Sequence, residues 1–198
     1  MKKLLVLTMA LAVALGTVGA QDKGKGGGGK GGGKGKGFTL PPMIKLTVAG
    51  MTDGGRYPTV NAAQGPSPAL SWTVVPMGTQ SFVILLHDPD PVVNKNATTD
   101  VTHWMIYNIP GTATSLPAGV AAGDLADGTK QAPNITGQPA YFGPGPPAGH
   151  GNHHYTFEIW ALDNKLEIAA PVTRDAVMKA MDGHVLGKGM IIGLYSNE

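Results

Sequence analysis

Ionisable side chains concentrate in two short, proline-rich stretches of this 198-residue sequence. The first comprises residues 87–91 (HDPDP) and 103–104 (HW), and the second comprises residues 143–155 (GPGPPAGHGNHHY). Proline fixes φ and supplies no N–H donor, so Asp88 and Asp90 are expected on a stiff, partly extended turn. Each stretch thus places histidines or carboxylates at the mouth of a predicted strand, where a rigid backbone can hold them in place.

Four of these residues could converge on one ligand: Asp88, His103, His153 and Tyr155. His153 and Tyr155 share strand parity, and the other two would join them if their strands are neighbours. Imidazoles and a phenol offer N–H and O–H donors, and a carboxylate beside an imidazole fixes its tautomer. The cluster therefore predicts a site for a small anion such as phosphate, sulfate or a carboxylate. In this hypothesis the histidines and Tyr155 donate to the anion, while Asp88 orients an imidazole or pairs with a ligand cation.

Other chemistries have weaker sequence support. The histidines and aspartates are zinc-ligand types, but there is no motif such as H-E-x-x-H, so a metal-assisted hydrolase is a lower-ranked alternative. A G-x-S-x-G nucleophile elbow and cysteine are both absent. Asp88 and Asp90 could form a general acid–base pair, although a turn role explains Asp90 as well. Surface, loop or cap roles are predicted for His150, His154 and His184. We therefore expect a binding protein with no catalytic residue, cofactor or metal ligand.

The elements that must position these residues are mostly strands. Apolar and polar residues alternate through most candidate segments, which is the period of a half-buried strand, whereas residues 82–86 are continuously apolar, as in a central strand. Only one segment is typical of a helix, with Thr173 as its N-cap and Gly183 closing it in the left-handed conformation. The predicted strands are residues 44–48, 70–74, 82–86, 101–109, 155–162 and 190–195. The pattern predicts a mainly antiparallel β domain with one or two peripheral helices.

The chain divides into three segments of different composition. Residues 1–20 carry two lysines before an apolar run and end in small residues, as a secretory signal peptide does. Residues 21–37 are almost entirely glycine and lysine, which is typical of a flexible, disordered tether. Residues 38–198 form the predicted folded domain. We therefore expect an exported protein, periplasmic or secreted, after cleavage near Ala20.

Charge differs between these segments. The whole chain carries +2, but residues 38–198 hold 8 Lys or Arg against 12 Asp or Glu, so the domain carries 8 − 12 = −4. The cationic tether could contact an anionic surface. It has no aromatic residues on which bases could stack, so sequence-specific nucleic-acid binding is not expected. Without cysteine, an exported domain depends on packing rather than on disulfide bonds.

Several motifs, taken in order, resemble the phosphatidylethanolamine-binding protein family, and its bacterial YbhB/YbcL or Raf-kinase-inhibitor-like branch in particular. Residues 67–72 are similar to the family's S-P-x-L-x-W, and residues 88–90 match its D-P-D signature. Residues 103–110 resemble H-W-x-x-x-N-I-P, and residues 145–155 resemble G-P-P…H-x-Y. Residues 180–186 are similar to the end of the branch's C-terminal helix. The resemblance covers nearly the whole domain.

The resemblance implies an antiparallel β-sheet sandwich, with a large sheet packed on a smaller one, and a small pocket for phosphate-type anions or phospholipid headgroups. It also implies protein partners, so a protease inhibitor or interaction scaffold is the alternative function for an exported chain. Two positions depart from the family pattern: Pro91 follows D-P-D directly, and His154 stands where arginine is frequent. Carried over to this sequence, the ligand-binding residues are Asp88, His103, Gly145, Pro146, His153 and Tyr155.

Overall fold

The computed structural model describes residue 40 and residues 43–92, 95–96, 98 and 100–198. The predicted signal peptide, the predicted tether and the predicted domain boundary at residue 38 lie outside them. The described residues contain one 3-10 turn (Thr59–Asn61), one α-helix, α1 (Arg174–Ala180), and nine strands. The strands are β1 (Lys45–Val48), β2 (Gly55–Arg56), β3 (Leu70–Thr73), β4 (Ser81–Asp88), β5 (Val101–Pro110), β6 (Ser115–Leu116), β7 (Lys130–Ala132), β8 (His153–Leu162) and β9 (Val185–Tyr195).

These strands form two sheets. The large sheet has the order β2-β9-β8-β4-β5-β7, and the small sheet has the order β1-β3-β6. Described neighbours pair antiparallel, except that β2 pairs parallel with β9. The two sheets and the single described helix confirm the predicted mainly antiparallel β sandwich.

An apolar core fills the space between the two sheets. The large sheet contributes alternate residues of its central strands, such as Ile84, Trp104 and Phe157, and the small sheet contributes Leu46 and Trp72. All five side chains are buried, and removing such apolar surface from water is the main driving force for the packing of the sheets. The period-two alternation of the sequence thus marks the inner face of each sheet.

The outer face of the large sheet is covered as well. Val83 and Leu85 of β4 pack there with Trp160 of β8 and with Val177 and Met181 from the region of α1. β4 is therefore buried on both faces, which confirms the central strand predicted from its continuous apolar run.

Helix α1 begins where the sequence predicts and ends at Ala180, three residues before the predicted closing residue Gly183. The Thr173 hydroxyl accepts a hydrogen bond from the backbone N–H of Ala176 at 3.1 Å, which satisfies an otherwise unpaired first-turn donor. Gly183 has φ +82° just beyond the helix. No helix among the described residues is long and apolar enough to cross a membrane.

The last strand is longer than the sequence predicts, because β9 begins at Val185 rather than at Met190. Three glycines in β9 interrupt the alternation that would have revealed it. Gly189 is required by packing, since a side chain there would clash with the backbone of Ile44. The short strands β2, β6 and β7 carry too few residues to show any period.

Antiparallel pairing brings the two ionisable stretches together at one end of the large sheet. β4 ends at Asp88 and β8 begins at His153, and these ends meet because the strands are antiparallel neighbours with His87 opposite Thr156. β5 lies on the other side of β4, with Val101 opposite Asp88. Residues of these three strands that face the small sheet therefore converge at this end of the core.

Candidate functional site

Four buried side chains form a polar cluster at the end of the core. Asp88 shares the parity of Leu86 on β4, and Tyr155 shares that of Phe157 on β8, so the cluster continues the inner face of the large sheet. Between 1% and 6% of each residue is exposed. Burying ionisable groups is costly unless they have partners, so their contacts decide what the cluster can do. Its members are Asp88, His103, His153 and Tyr155.

Asp88 and His153 form a buried pair at the centre of this cluster. The His153 Nδ1–H donates to Asp88 Oδ2 at 2.7 Å, and at most 4% of either side chain is exposed. Asp88 Oδ1 accepts the backbone N–H of Asp90 at 2.9 Å, which holds the D-P-D turn. The carboxylate thereby fixes the tautomer of His153 and leaves Nε2 as the ring atom available to another partner. In this tautomer Nε2 accepts a hydrogen bond, which differs from the donor role that the sequence predicts for His153.

Tyr155 lies beside both imidazoles. Its ring meets His103 edge-on with centroids 5.1 Å apart and stacks with His153 at 6.4 Å. Burial, and then the negative charge of Asp88, raise the pKa of Tyr155 far above its usual value. The hydroxyl therefore keeps its proton and can donate it to an anion.

His103 is oriented by the segment that precedes the glycine–proline loop. Its Nδ1–H donates to the Phe142 carbonyl at 2.9 Å, and the two rings stack with centroids 6.0 Å apart. Burial lowers the pKa of His103, although the Phe142 carbonyl and the charge of Asp88 act in the opposite direction. The ring is therefore neutral near pH 7, and its Nε2 has a lone pair that accepts hydrogen bonds. This role differs from the donor role that the sequence predicts for His103.

Gly143 anchors the glycine–proline loop to the rest of the domain. Its N–H donates to the Ala63 carbonyl at 2.7 Å, and the Ala63 N–H donates to the Pro144 carbonyl at 2.6 Å. A side chain at position 143 would clash with the backbone of Asn61. Only glycine therefore permits this close approach, which sets the position of the residues that follow.

The two loop residues predicted to bind ligand lie in different surroundings. Gly145 is exposed, nothing lies within 4 Å of where its Cβ would be, and its N–H donates to the Tyr155 hydroxyl oxygen at 3.3 Å. Pro146 is buried, and its carbonyl accepts a hydrogen bond from the Asn197 side chain at 2.6 Å. The structure thus joins Gly145 to the cluster directly, whereas the described hydrogen bond of Pro146 goes to the C-terminal segment.

His150 and His154 have partners that the sequence reasoning missed. His150 Nδ1 lies 3.4 Å from His153 Nε2, with ring centroids 5.6 Å apart. His154 is an exposed residue, as predicted, and its Nδ1–H donates to Asp90 Oδ2 at 3.0 Å. The spacing H-x-x-H over residues 150–153 is the sequence signal that could have identified His150.

A second ionisable cluster lies on the outer face of the large sheet. His87 lies between the carboxylates of Asp100 and Glu158, with Nε2 at 3.3 Å from Glu158 Oε2, and Arg174 pairs with Asp100. Contact with His87 lowers the pKa of Glu158, although burial opposes this shift. Neighbouring residues of a strand point to opposite faces, which separates His87 from Asp88. A cavity of about 740 Å³ adjoins Asp100 and Arg174, and none of the six predicted ligand-binding residues lines it.

Comparison with known proteins agrees with the sequence motifs. The family profile described as phosphatidylethanolamine-binding protein matches residues 45–196. A UPF0098 protein of Methanothermobacter thermautotrophicus is 40% identical over 156 residues, which cover 77% of this chain and 98% of that protein. A UPF0098 protein of Aquifex aeolicus is 36% identical over 149 residues, which cover 74% of this chain and 84% of the relative.

Solved structures show the same fold. The crystal structure of Escherichia coli YbcL, described as a member of the mammalian PEBP family, superposes with a TM-score of 0.70 at 28% identity, covering 79% of this chain and all of YbcL (100%). A phosphatidylethanolamine-binding protein homolog of Chlamydia trachomatis also gives a TM-score of 0.70, at 29% identity, covering 79% of this chain and 99% of the homolog.

Proposed function

This chain belongs to the phosphatidylethanolamine-binding protein family, and we propose on that premise that its buried polar cluster binds a phosphate-type anion or a phospholipid headgroup. The observation that carries the proposal is the buried pair of Asp88 and His153 beside the Tyr155 hydroxyl. Ionisable groups kept at the end of a core, next to a glycine-rich loop that reaches solvent at Gly145, are typical of a binding site rather than of packing. Gly145 and Pro146 belong to that loop.

The hydrogen-bonding capacity of the cluster restricts the chemistry of the ligand. Tyr155 keeps its proton and donates, which suits an anionic oxygen. His103 is neutral and its Nε2 accepts, which suits a hydrogen on the ligand. The site therefore favours a ligand that combines an anionic oxygen with a donor of its own. Inorganic phosphate has such a donor in its P–OH group, and phosphoethanolamine has one in its ammonium group.

Sulfate provides a matched comparison for phosphate. Near pH 7–8 both are tetrahedral and carry similar charge, but only phosphate keeps a hydroxyl that can donate to His103. Calorimetric titration of the purified protein should give a phosphate Kd of about 1 mM or tighter and weaker binding of sulfate. Equal affinity for the two anions would contradict the assigned role of His103. No binding of either anion or of phosphoethanolamine at millimolar concentration, with the protein folded, would refute the site.

Two tyrosine variants distinguish loss of ligand binding at the site from a general effect on the fold. Tyr155→Phe removes only the hydroxyl donor, and a hydrogen bond to a charged ligand contributes about 1.5–3 kcal/mol, so phosphate affinity should fall by roughly ten-fold or more. Tyr107→Phe is the control, because Tyr107 is also a buried tyrosine of the large sheet but faces the outer side. Equal effects of the two substitutions on phosphate binding would contradict the proposal.

The proposed function has two further parts: the protein is exported, and it binds its ligand without converting it. The N-terminal pattern supports cleavage after Ala20, so the mature protein should begin at Gln21 and be recovered from the periplasm or the medium. Residues 21–37 would then hold the domain near an anionic surface. N-terminal sequencing of the exported protein tests the cleavage. Co-sedimentation with anionic vesicles, with and without residues 21–37, tests the surface contact.

A further inference from the structure

The imidazole of His150, in the loop before β8, meets that of His153, the first residue of β8, at the edge of the proposed pocket. His150 and His153 are three residues apart, with Gly151 and Asn152 between them. His150 Nδ1 lies 3.4 Å from His153 Nε2. His153 is buried, whereas His150 is exposed, so the pair joins the interior of the cluster to solvent.

The separation of these two nitrogens matches that of two ligands on one metal ion. Two Zn–N bonds of roughly 2.0–2.1 Å at a tetrahedral angle place the nitrogens roughly 3.3 Å apart. We propose that His150 Nδ1 and His153 Nε2 bind one divalent transition-metal ion, with water or a ligand of the pocket in the remaining coordination positions. The proton on His150 Nδ1 moves to its Nε2, which the exposed position of His150 allows through solvent.

Asp88 prepares His153 for this role. A metal-ligating histidine usually donates its other ring N–H to a carboxylate, which fixes the tautomer and makes the ligating nitrogen more basic. His153 already donates Nδ1–H to Asp88 Oδ2 at 2.7 Å, so its Nε2 carries the lone pair that a metal needs. This arrangement distinguishes the pair from two histidines that are merely adjacent.

The local charge also favours a cation. Asp88, Asp90 and His153 each offer one ligand atom, and these atoms lie within 4.8 Å of one another. Both carboxylates already accept hydrogen bonds from the protein, so they act through their negative charge rather than as first ligands. Two imidazole ligands favour Cu²⁺, Ni²⁺ and Zn²⁺ over Mg²⁺ and Ca²⁺, with Cu²⁺ bound most tightly.

Metal binding goes beyond the proposed anion binding, although the two share His153. His150 belongs only to the metal pair, because none of the contacts assigned to the anion involves it. His150→Ala should therefore weaken metal binding and leave phosphate affinity unchanged. Failure of the anion proposal would appear in metal-free titrations with phosphate, and failure of the metal proposal would appear in phosphate-free titrations with metal.

The test is calorimetric titration of tag-free protein with CuCl₂ and ZnCl₂ in a non-coordinating buffer. We expect one ion per chain, bound more tightly for Cu²⁺ than for Zn²⁺, and nitrogen hyperfine structure in the Cu²⁺ electron paramagnetic resonance spectrum. His150→Ala and His153→Gln should each weaken Cu²⁺ binding by about ten-fold or more, and Asp88→Asn by about 10- to 100-fold.

His184→Gln is the matched control. The His184 Nδ1–H donates to Asp163 at 2.7 Å, as His153 does to Asp88, but the described contacts of His184 include no second imidazole. Unchanged metal affinity is expected for this variant. The proposal is overturned if Cu²⁺ shows no saturable binding at a concentration on the order of 100 µM, or if His150→Ala binds Cu²⁺ as tightly as the unmodified protein. Circular dichroism of each variant separates loss of the site from loss of the fold.

Discussion

The buried pair of Asp88 and His153 should contribute more to stability than an exposed pair of the same geometry. Asp163 and His184 provide the comparison, because their contact has the same length of 2.7 Å. At most 4% of either buried side chain is exposed, against 42% of His184 and 47% of Asp163. The perturbation is a double-mutant cycle on each pair, with aspartate changed to asparagine and histidine to glutamine.

The expected magnitudes follow from burial. A hydrogen bond to a charged group contributes about 1.5–3 kcal/mol when water cannot replace it, so the coupling energy of Asp88 and His153 should lie in that range. Water and salt compete for the exposed pair, and such pairs contribute about 0.2–1 kcal/mol. Removing only one member of the buried pair should destabilise by about 3 kcal/mol or more, since the other is left buried and unpaired.

Urea unfolding of the single and double variants measures both couplings. The coupling of the buried pair should survive 0.5 M salt, whereas that of the exposed pair should shrink. A coupling energy for Asp88 and His153 no larger than that for Asp163 and His184 would refute the reasoning. It would mean that water reaches the cluster despite its burial, and that the tautomer of His153 is not fixed by Asp88.

Three further outcomes are expected. His87→Gln should lower the free energy of unfolding at pH 7. Contact with His87 depresses the folded-state pKa of Glu158. The stability that this contact contributes is therefore present above the unfolded pKa of about 4.3 and is lost as pH falls through the folded pKa. The difference in unfolding free energy between His87→Gln and the unmodified protein should narrow below about pH 4, as measured by urea unfolding. Thr173→Ala should destabilise by about 1 kcal/mol through loss of the helix cap, as measured by urea unfolding. Gly143→Ala should destabilise far more than Gly145→Ala in the same assay, because of these two positions 143 lacks room for a Cβ and 145 has it.

Each of these predictions has a clear contrary result. A difference between His87→Gln and the unmodified protein that stays constant from pH 7 to pH 3.5 would show that the Glu158 contact does not titrate as described. Thr173→Ser should retain most of the stability that Thr173→Ala loses, and equal loss would exclude capping as the cause. Similar stabilities for the two glycine variants would mean that the loop does not approach the Asn61 backbone closely.

Much of the fold could be predicted from local patterns in the sequence, because each pattern has a physical cause. Period-two alternation identifies strand faces wherever a side chain sits at each position, and a continuous apolar run marks β4 as central. Thr173 and Gly183 mark the helix ends because their backbone and side-chain preferences are local. The pattern fails in β9, where glycines contribute no side chain to the alternation, and in strands of two or three residues.

The sequence alone determined that Asp88, His153 and Tyr155 belong on rigid turns and strand ends. It also determined that His153 and Tyr155 lie on the same face of their strand. Only the tertiary structure decided which side chains contact each other. Parity says which face a side chain occupies, but strand order and register say which neighbour it meets, and these depend on chain segments 65 residues apart. That is why His87 contacts Asp100 and Glu158. Burial by the whole domain also makes His103 a neutral acceptor, a property that no local pattern contains.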